Sequence, residues 1–505
     1  MKSTLRLSEK DNVAVAVKTL SPGDKIQEEG VVSGNRIPPG HKVATVRIEA
    51  GQPIFKYGQI IGFASRKIEP GEHVHIHNVE MGTFERDDTL AENARPMEKE
   101  AEAQQITFQG FLRRDGRVGT RNYVGILATV SCSVSVARFI ADAFSGKALA
   151  EFPNVDGVIS LGHGTGCSML PHGEGFVYLQ RVLAGYARHP NFAGVVLVGL
   201  GCEVNQVDCL MANEGLEENP GFRPIVIQDA GGTRETVRRG IEAVQAMLPE
   251  ANRVERTSLP ASHIVLGLEC GGSDAYSGIS ANPALGAAVD LLVRQGGTAI
   301  LSETPEIYGA EHLLTRRAVR AEVAEKLLKR IRWWEQYTSK LGGEINNNPT
   351  PGNKAGGLTT ILEKSLGAVA KGGATSLVEV YEYGEPVSAK GLVFMDTPGY
   401  DVVSVTGMVA GGANMICFTT GRGSVCGFSP VPAIKLASNT TTYRRMQDDM
   451  DVDCGPIVEG KADIEEIGRA VFRLIVDTAS GKKTKSEILG FGESEFVPWQ
   501  IGPVM

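Results

Sequence analysis

Four times in this sequence an apolar run leads straight into a cysteine held in a glycine- or serine-rich turn. The four are Leu127-Ala128-Thr129-Val130-Ser131-Cys132, Leu161-Gly162-His163-Gly164-Thr165-Gly166-Cys167, Val198-Gly199-Leu200-Gly201-Cys202-Glu203 and Leu266-Gly267-Leu268-Glu269-Cys270-Gly271-Gly272-Ser273-Asp274. Thiolates are soft ligands, and with His163, Glu203 and Asp274 beside them they could converge on a metal such as iron. Taken singly, each reads as a small buried apolar residue closing a strand, where free cysteine is common. Taken as a set, one residue type repeated at one structural place favours a shared site.

Other loops carry groups suited to an anionic ligand. The turn Cys270–Asp274 continues to Asn282-Pro283, a helix cap followed by proline at the first helical position. A helix start after a glycine turn offers free N–H groups to an anion, although plain strand-to-helix geometry gives the same sequence. Asn348-Pro349-Thr350-Pro351-Gly352-Asn353-Lys354-Ala355-Gly356-Gly357 joins rigid prolines to Asn353 and Lys354. That suits a preorganised loop for carboxylate or hydroxyl groups, and equally an ordinary connection. It lacks the spacing of a Walker loop, which excludes ATP. Thr419-Thr420-Gly421-Arg422-Gly423 puts an arginine on a strand-end turn, to fork onto a carboxylate or to form a surface ion pair. Gly116-Arg117-Val118-Gly119-Thr120-Arg121-Asn122 has the same ambiguity.

His73-Val74-His75-Ile76-His77-Asn78 holds three of the nine histidines. In an extended strand the three imidazoles share one face, with neighbours ~7 Å apart. They could line a polyol substrate. They could also reach one metal if the strand bends or a ligand arrives from another domain. A solvated strand face is the plainer account, preferred over metal binding and less so over a substrate lid.

Groups at strand ends need strands to carry them, and open α/β sheets bind ligands at the carboxyl ends of their strands. From about residue 106 apolar runs alternate with amphipathic segments, the pattern of α/β layers with parallel strands. It predicts strands at Tyr123–Thr129, Gly157–Leu161, Gly194–Leu200, Ile264–Leu268, Thr298–Leu301, Leu392–Met395 and Met415–Thr419. Ala310–Lys340, charged and free of proline, predicts a long helix. Pro249–Pro260 is polar and turn-rich and marks a domain boundary. Upstream, short apolar runs cut by Ser21-Pro22-Gly23-Asp24, Pro38-Pro39-Gly40 and Pro70-Gly71 predict a small all-β module. The division is therefore a β module at 1–80, a charged, partly helical linker at 81–105, a middle α/β domain at 106–255 and a C-terminal α/β domain at 256–505.

Composition narrows the function. The chain has 505 residues, 51 basic and 59 acidic, for a net charge of −8, which argues against non-specific nucleic-acid binding. Its longest nearly apolar run, Phe192–Leu200, is too short to cross a membrane, and no signal core follows Met1. Sixty-one glycines, well above the usual ~7%, point to tight turns and close backbone approach to a ligand. Eight scattered cysteines with no close Cys-x-x-Cys pair are, in a cytosolic chain, more suited to serve as thiolates or be buried than to pair.

Together these motifs resemble the altronate/galactarate dehydratase family of sugar-acid hydro-lyases. The resemblance runs nearly end to end, through Asp11-Asn12-Val13-Ala14, Gly40-His41-Lys42, Tyr57-Gly58, Gly119-Thr120-Arg121-Asn122, Gly199-Leu200-Gly201-Cys202-Glu203, Cys270-Gly271-Gly272-Ser273-Asp274, Pro351-Gly352-Asn353-Lys354 and Thr420-Gly421-Arg422-Gly423. It implies an N-terminal β-clip (SAF-type) domain, a middle domain used in homodimerisation and a Rossmann-like C-terminal domain. It also implies a cytoplasmic dehydratase that depends on divalent iron under reducing conditions. The stretch Glu72-His73-Val74-His75 looks like the altronate branch, whereas Ser277-Gly278 and Asp290–Arg294 look closer to the galactarate branch.

The chemistry expected is removal of the proton α to a carboxylate and loss of the β-hydroxyl, giving a 2-keto-3-deoxy acid. That demands strong stabilisation of carboxylate charge and a base and acid flanking the carbon pair. The metal ligands are sought among Cys132, Cys167, Cys202, Cys270, Glu203 and Asp274, holding iron, manganese or an Fe–S cluster. The base is sought in His163 or Lys354, and substrate contacts in Arg121, Asn122, Ser273, Asn353, Arg422 and His75. D-altronate is the preferred substrate, with galactarate and sulfolactate, which would lose sulfite, as alternatives. A dinucleotide dehydrogenase lacks its glycine fingerprint here. A sugar-acid sensor would need no redox-sensitive thiols.

Overall fold

The N-terminal module is built from strands of two to six residues. The strands Thr4–Leu5, Val13–Ala16, Lys42–Ala44 and His73–Val74 form one antiparallel sheet, and Pro53–Lys56, Gln59–Ala64 and Val79–Glu80 form another. Val13–Ala16 is buried on both faces, which is why it reads as an unbroken apolar run. The computed structural model describes residues 2–82, 89–95, 100–101 and 104–503. The predicted linker at 81–105 lies partly outside these. Where described, it runs along the C-terminal domain, with the Ala91 and Asn93 amides donating to the carbonyls of Thr315 (2.9 Å) and Arg316 (2.7 Å).

The middle domain opens with Thr107–Leu112, paired antiparallel to Val118–Gly119 and to Thr257–Pro260. Between them lies a parallel sheet in the order Gly157–Leu161, Tyr123–Ala128, Phe192–Gly199, Phe222–Val226. Pro249–Pro260, expected to be turn-rich, is largely regular structure. A helix runs from Thr233 to Arg253 straight through Pro249, and Thr257–Pro260 is a strand. An interior proline costs a helix about 3 kcal/mol. Burial of Val244, Met247, Leu248 and Ala251 on one face outweighs it.

The C-terminal domain is a seven-stranded parallel sheet in the order Leu377–Tyr381, Gly391–Met395, Thr298–Leu301, Val265–Cys270, Met415–Thr420, Ala433–Ala437, Val452–Asp453. All seven strands predicted across the two sheets are present, to within two residues at either end. The long helix begins at Ala321, not Ala310. His312–Thr315 is a separate short helix, and Ala318–Val319 pairs with Leu377 at the sheet edge, which pulls that backbone out of helical conformation. The two α/β domains share an apolar core in which the helix Glu174–Ala187 packs on Asp401–Ala410.

His189 sits in the seam between those domains. Its Nε2 lies 3.0 Å from the Ala413 carbonyl and its Nδ1 accepts from the Asn191 amide at 3.1 Å, so the neutral ring satisfies both partners. Burial lowers its pKa to about 4. Between that value and ~6.5 the unfolded chain binds a proton that the folded chain refuses, so stability falls as pH drops through this window, by at most on the order of 3 kcal/mol. Urea unfolding at pH 7.5 and pH 5 should show His189→Gln losing less stability than wild type; an identical loss contradicts this account.

Candidate active site

The C-terminal sheet starts in its middle, at Val265–Cys270, winds to one edge, and returns on the other side at Met415–Thr420. The carboxyl ends of these neighbours are where the winding reverses, the place where α/β sheets open a crevice. Their turns are laced together: the Gly271 amide donates to Thr419 O (3.1 Å), and those of Gly421 and Arg422 to Gly272 O (3.2 and 3.0 Å). The close approach requires glycine, because a Cβ at Gly421 would run into the Asp274 carboxyl and one at Gly271 into that of Asp401.

Asp274 is buried and accepts from the Ser277 amide (2.8 Å), Ser277 Oγ (2.9 Å), Ser438 Oγ (2.8 Å) and Asn439 Nδ2 (3.1 Å). Burial raises its pKa against these bonds. Asn353 Nδ2 donates to Ser273 O at 2.8 Å, while Thr350 and Asn353 close a capping box that starts the helix Pro351–Ala355. Lys354 follows on that helix, and Ser273 Oγ is buried with no partner among the described residues. A cavity of about 340 Å³ opens here, lined by Asp274, Arg422, Asn439, Thr442 and Arg445, with Val17 and Pro39 of the N-terminal module closing one side.

Beneath the same strand ends lies a buried charge cluster that the sequence reading missed. Cys270 Sγ is 3.5 Å from Glu303 Oε2 and 3.5 Å from Glu306 Oε2. Lys371 Nζ donates to Glu303 (2.7 Å), and Lys364 Nζ to Glu306 (2.6 Å) and Asn348 Oδ1 (2.9 Å). Glu269 and Asp401 complete it. Four carboxyl groups thus face two ammonium groups. Glu303 holds a left-handed backbone, φ 67°, that non-glycine residues rarely adopt. Its Oε1 and both Glu269 oxygens are buried without a hydrogen-bond partner among the described residues. Burial pushes up the pKa values of Glu269 and Glu306, and that of Asp401 to about 7. An excess of buried acid with orphaned oxygens and a thiol fits a divalent cation. The signal was available, because Ser302-Glu303-Thr304-Pro305-Glu306 and Asp396-Thr397-Pro398-Gly399-Tyr400-Asp401 also follow strands.

The N-terminal module is clamped over this loop system. Glu363, fully buried, receives Lys42 Nζ at 2.8 Å and Lys56 Nζ at 2.9 Å, and Lys42 also donates to Gly357 O (2.7 Å). Burial alone would raise the Glu363 pKa, but the two ammonium groups hold it far below the usual carboxylate range. Lys56 stays firmly protonated, while burial lowers the Lys42 pKa against its bonds to both Glu363 oxygens. Next to Lys42, His41 places Nε2 3.2 Å from Ala355 O, one residue from Lys354, and packs against His73 and His75. His75, expected as a substrate contact on a flat strand face, instead follows a bend, since the strand ends at Val74.

Cys270, Ser273, Asp274, Asn353, Lys354 and Arg422 therefore gather at one crevice, with His75 on the module above it. The other expected residues do not. Cys132, Cys167, Cys202, Glu203 and His163 belong to the middle sheet, so the four strand-end cysteines do not share a site. The loops of Cys132, Cys167 and Cys202 are bonded together through Ser131–Thr165 and Val204–Cys167. Among the described residues, however, their ligating atoms do not come within 4.8 Å of one another as a group of three. Glu203 is consumed locally, accepting from Thr129 Oγ1 (3.0 Å) and the amides of Leu200 (3.0 Å) and Gly201 (2.6 Å). His163, lowered to about 4 by burial, packs on Phe496 and does not line the cavity at Asp274.

Arg121 and Asn122 are framework residues. The Arg121 guanidinium commits every N–H, to both Glu487 oxygens (2.6 and 2.9 Å) and to the carbonyls of Thr120, Thr478 and Lys482, pinning the middle domain to the C-terminal one. Asn122 bridges Arg113, Asn154 and Ala251.

Family descriptions match the three parts in order. Residues 2–82 match the altronate/galactarate dehydratase SAF domain, 110–252 the second domain of D-galactarate dehydratase/altronate hydrolase, and 261–504 the C-terminal domain of D-galactarate/altronate dehydratase. The chain is 34% identical to altronate dehydratase of Bacillus subtilis (strain 168) over 495 residues, 98% of each chain. It belongs to the altronate/galactarate dehydratase family. Within that family it is also 37% identical to galactarate dehydratase (L-threo-forming) of Escherichia coli (strain K12) over 487 residues, 95% of this chain and 93% of the other. The (2R)-sulfolactate sulfo-lyase subunit beta of Chromohalobacter salexigens is 32% identical over 395 residues, 77% of this chain and 96% of its own. This dehydratase is thus a hydro-lyase of the altronate/galactarate type. Among its described residues no helix is long and apolar enough to cross a membrane.

Breaking the clamp should be costly. Glu363→Gln leaves two buried ammonium groups without their carboxylate, a loss of about 3–5 kcal/mol. A thermal melt should show a lowered Tm, and limited proteolysis should release the N-terminal module. The triple replacement Lys42→Met, Lys56→Met, Glu363→Leu should lose less than Glu363→Gln alone. A Glu363→Gln protein that melts like wild type would remove the clamp from the account.

Proposed function

We propose that this dehydratase converts D-altronate to its 2-keto-3-deoxy acid in the crevice between the C-terminal sheet and the N-terminal module. The observation that carries the reading is the meeting of Arg422, Asp274 and the Lys354 helix at the reversal of the sheet, around a cavity lined by hydroxyl and amide groups. Arg422, with no side-chain partner among the described residues, is the group to receive the substrate carboxylate as a fork. Asn439 and Thr442, bonded to Asp274 and to Gly421 O, fix the cavity wall beside it. Asp274, saturated with donors, holds the two turns in register.

Lys354, on the helix whose end Ala355–Gly356 lines the cavity, is the base we assign to the α-proton. The electron pair left on the α-carbon then forms the double bond as the β C–O bond breaks. The departing hydroxyl takes up the proton that Lys354 has gained and leaves as water, and the enol tautomerises to the keto acid. Divalent iron, held by Cys270, Glu303 and Glu306, would supply Lewis-acid stabilisation of the charge that develops on the substrate. We also take the enzyme as cytoplasmic and homodimeric, as its family resemblance implies. Galactarate is the second reading, favoured by Arg445 beside Arg422, which gives the cavity a second guanidinium for a second carboxylate.

The test is an anaerobic assay of iron-loaded protein with D-altronate and with galactarate, following 2-keto-3-deoxy acid. Turnover of D-altronate supports the first reading, turnover of galactarate alone the second, and turnover of neither overturns both. Arg422→Ala should raise KM about 10- to 100-fold at an unchanged Tm, the range of a lost charge-assisted bond of about 1.5–3 kcal/mol. Arg121→Ala should do the reverse, lowering Tm with little effect on KM.

A further inference from the structure

Three of the four histidines of the N-terminal module are not explained by packing. We infer that His41, His73 and His75 form a second metal site, a three-imidazole seat for a divalent transition cation such as Zn2+ or Fe2+, on the module wall that faces the Lys354–Gly356 turn.

One ligating nitrogen from each ring lies within 4.8 Å of the other two. His41 Nδ1 and His73 Nε2 are 3.0 Å apart. Nitrogens bound to one ion at ~2.0–2.1 Å stand roughly 3.0–3.4 Å from each other, so this pair already has the spacing of two ligands. The third ring is close, with centroids 4.6 Å from His41 and 5.4 Å from His73. His75 Nδ1 is buried and has no hydrogen-bond partner among the described residues. A buried polar atom left unpaired is costly, and a cation shared by three lone pairs removes that cost.

The supports are those of a metal site as well. A ligating histidine usually donates its other N–H to a carbonyl or carboxylate, which fixes ring and tautomer. His41 does so through Nε2 to Ala355 O, turning Nδ1 towards His73. The turn that follows Val74 is held by Asn78, whose Oδ1 accepts from the His75 amide (2.9 Å) and whose Nδ2 donates to His73 O (2.9 Å). This bend brings His75 back beside His73, where a straight strand would hold them further apart. Three ligands leave at least one coordination position open for water or another ligand. The inference stands on these contacts and does not depend on which sugar acid is the substrate.

The full-length protein, stripped with chelator and loaded anaerobically with Co2+, tests it. Metal content per chain is read after gel filtration, together with the visible d–d bands and the near-ultraviolet thiolate charge-transfer band. The expected result is that His73→Gln/His75→Gln, and separately His41→Gln, lose about one equivalent of metal and part of the d–d absorption. Any thiolate band from Cys270 should be retained. Because a variant could misfold, the wild type is also loaded with Zn2+ and examined by X-ray absorption, where imidazole multiple scattering is expected to persist in Cys270→Ser. Histidine variants with full metal content and an unchanged spectrum would overturn the inference. So would a wild-type X-ray absorption spectrum without imidazole ligands.

Discussion

A single buried carboxylate organises the crevice. Glu363 lies between Lys42 and Lys56 with no water-facing surface, and burying three charged groups is tolerable only because each meets its partners at close range. The lysines come from two strands of the N-terminal module. The carboxylate heads the first turn of the helix Ile361–Val369, which follows directly on the Asn348–Gly357 loop. Fixing that one contact therefore sets the height of the module over the loop. It also sets the positions of Ala355 against His41 and of Pro39 against the cavity.

The loop itself reads three neighbourhoods at once. Asn348 touches Glu306 in the buried acid cluster, Asn353 holds Ser273, and Ala355 meets His41 of the module. Its prolines and capping box give it little freedom to do otherwise. Groups from two domains are thus held in register by backbone geometry, while the long side chains of Lys354 and Arg422 make no hydrogen bond among the described residues.

The sheets were legible because buried parallel strands are apolar runs of the right length, and the carboxyl ends of such runs could be located to within a residue or two. That was enough to gather Cys270, Ser273, Asp274 and Arg422. It could not say which sheet a strand joins, so cysteines of the middle sheet were grouped with Cys270 although the two sheets are separate. Burial of charge left even less trace. Lys364 and Lys371 sit in segments that could as well be solvated, and only the fold shows them turned inward onto Glu306 and Glu303. Arg121 was misread for a related reason, because a guanidinium fork fits the Glu487 carboxylate of the protein as well as one of a substrate. His41 was quoted only as part of a motif, since its partners lie thirty residues on, across a sheet.

The module meets the body through contacts between residues far apart in sequence: Lys42 and Lys56 on Glu363, His41 on Ala355, Tyr276 on Ala16. The module and the body therefore carry complementary faces, set by these buried contacts, that fix how they sit together. Modularity of that kind lets the cover of the crevice be exchanged while the sheet beneath it stays unchanged.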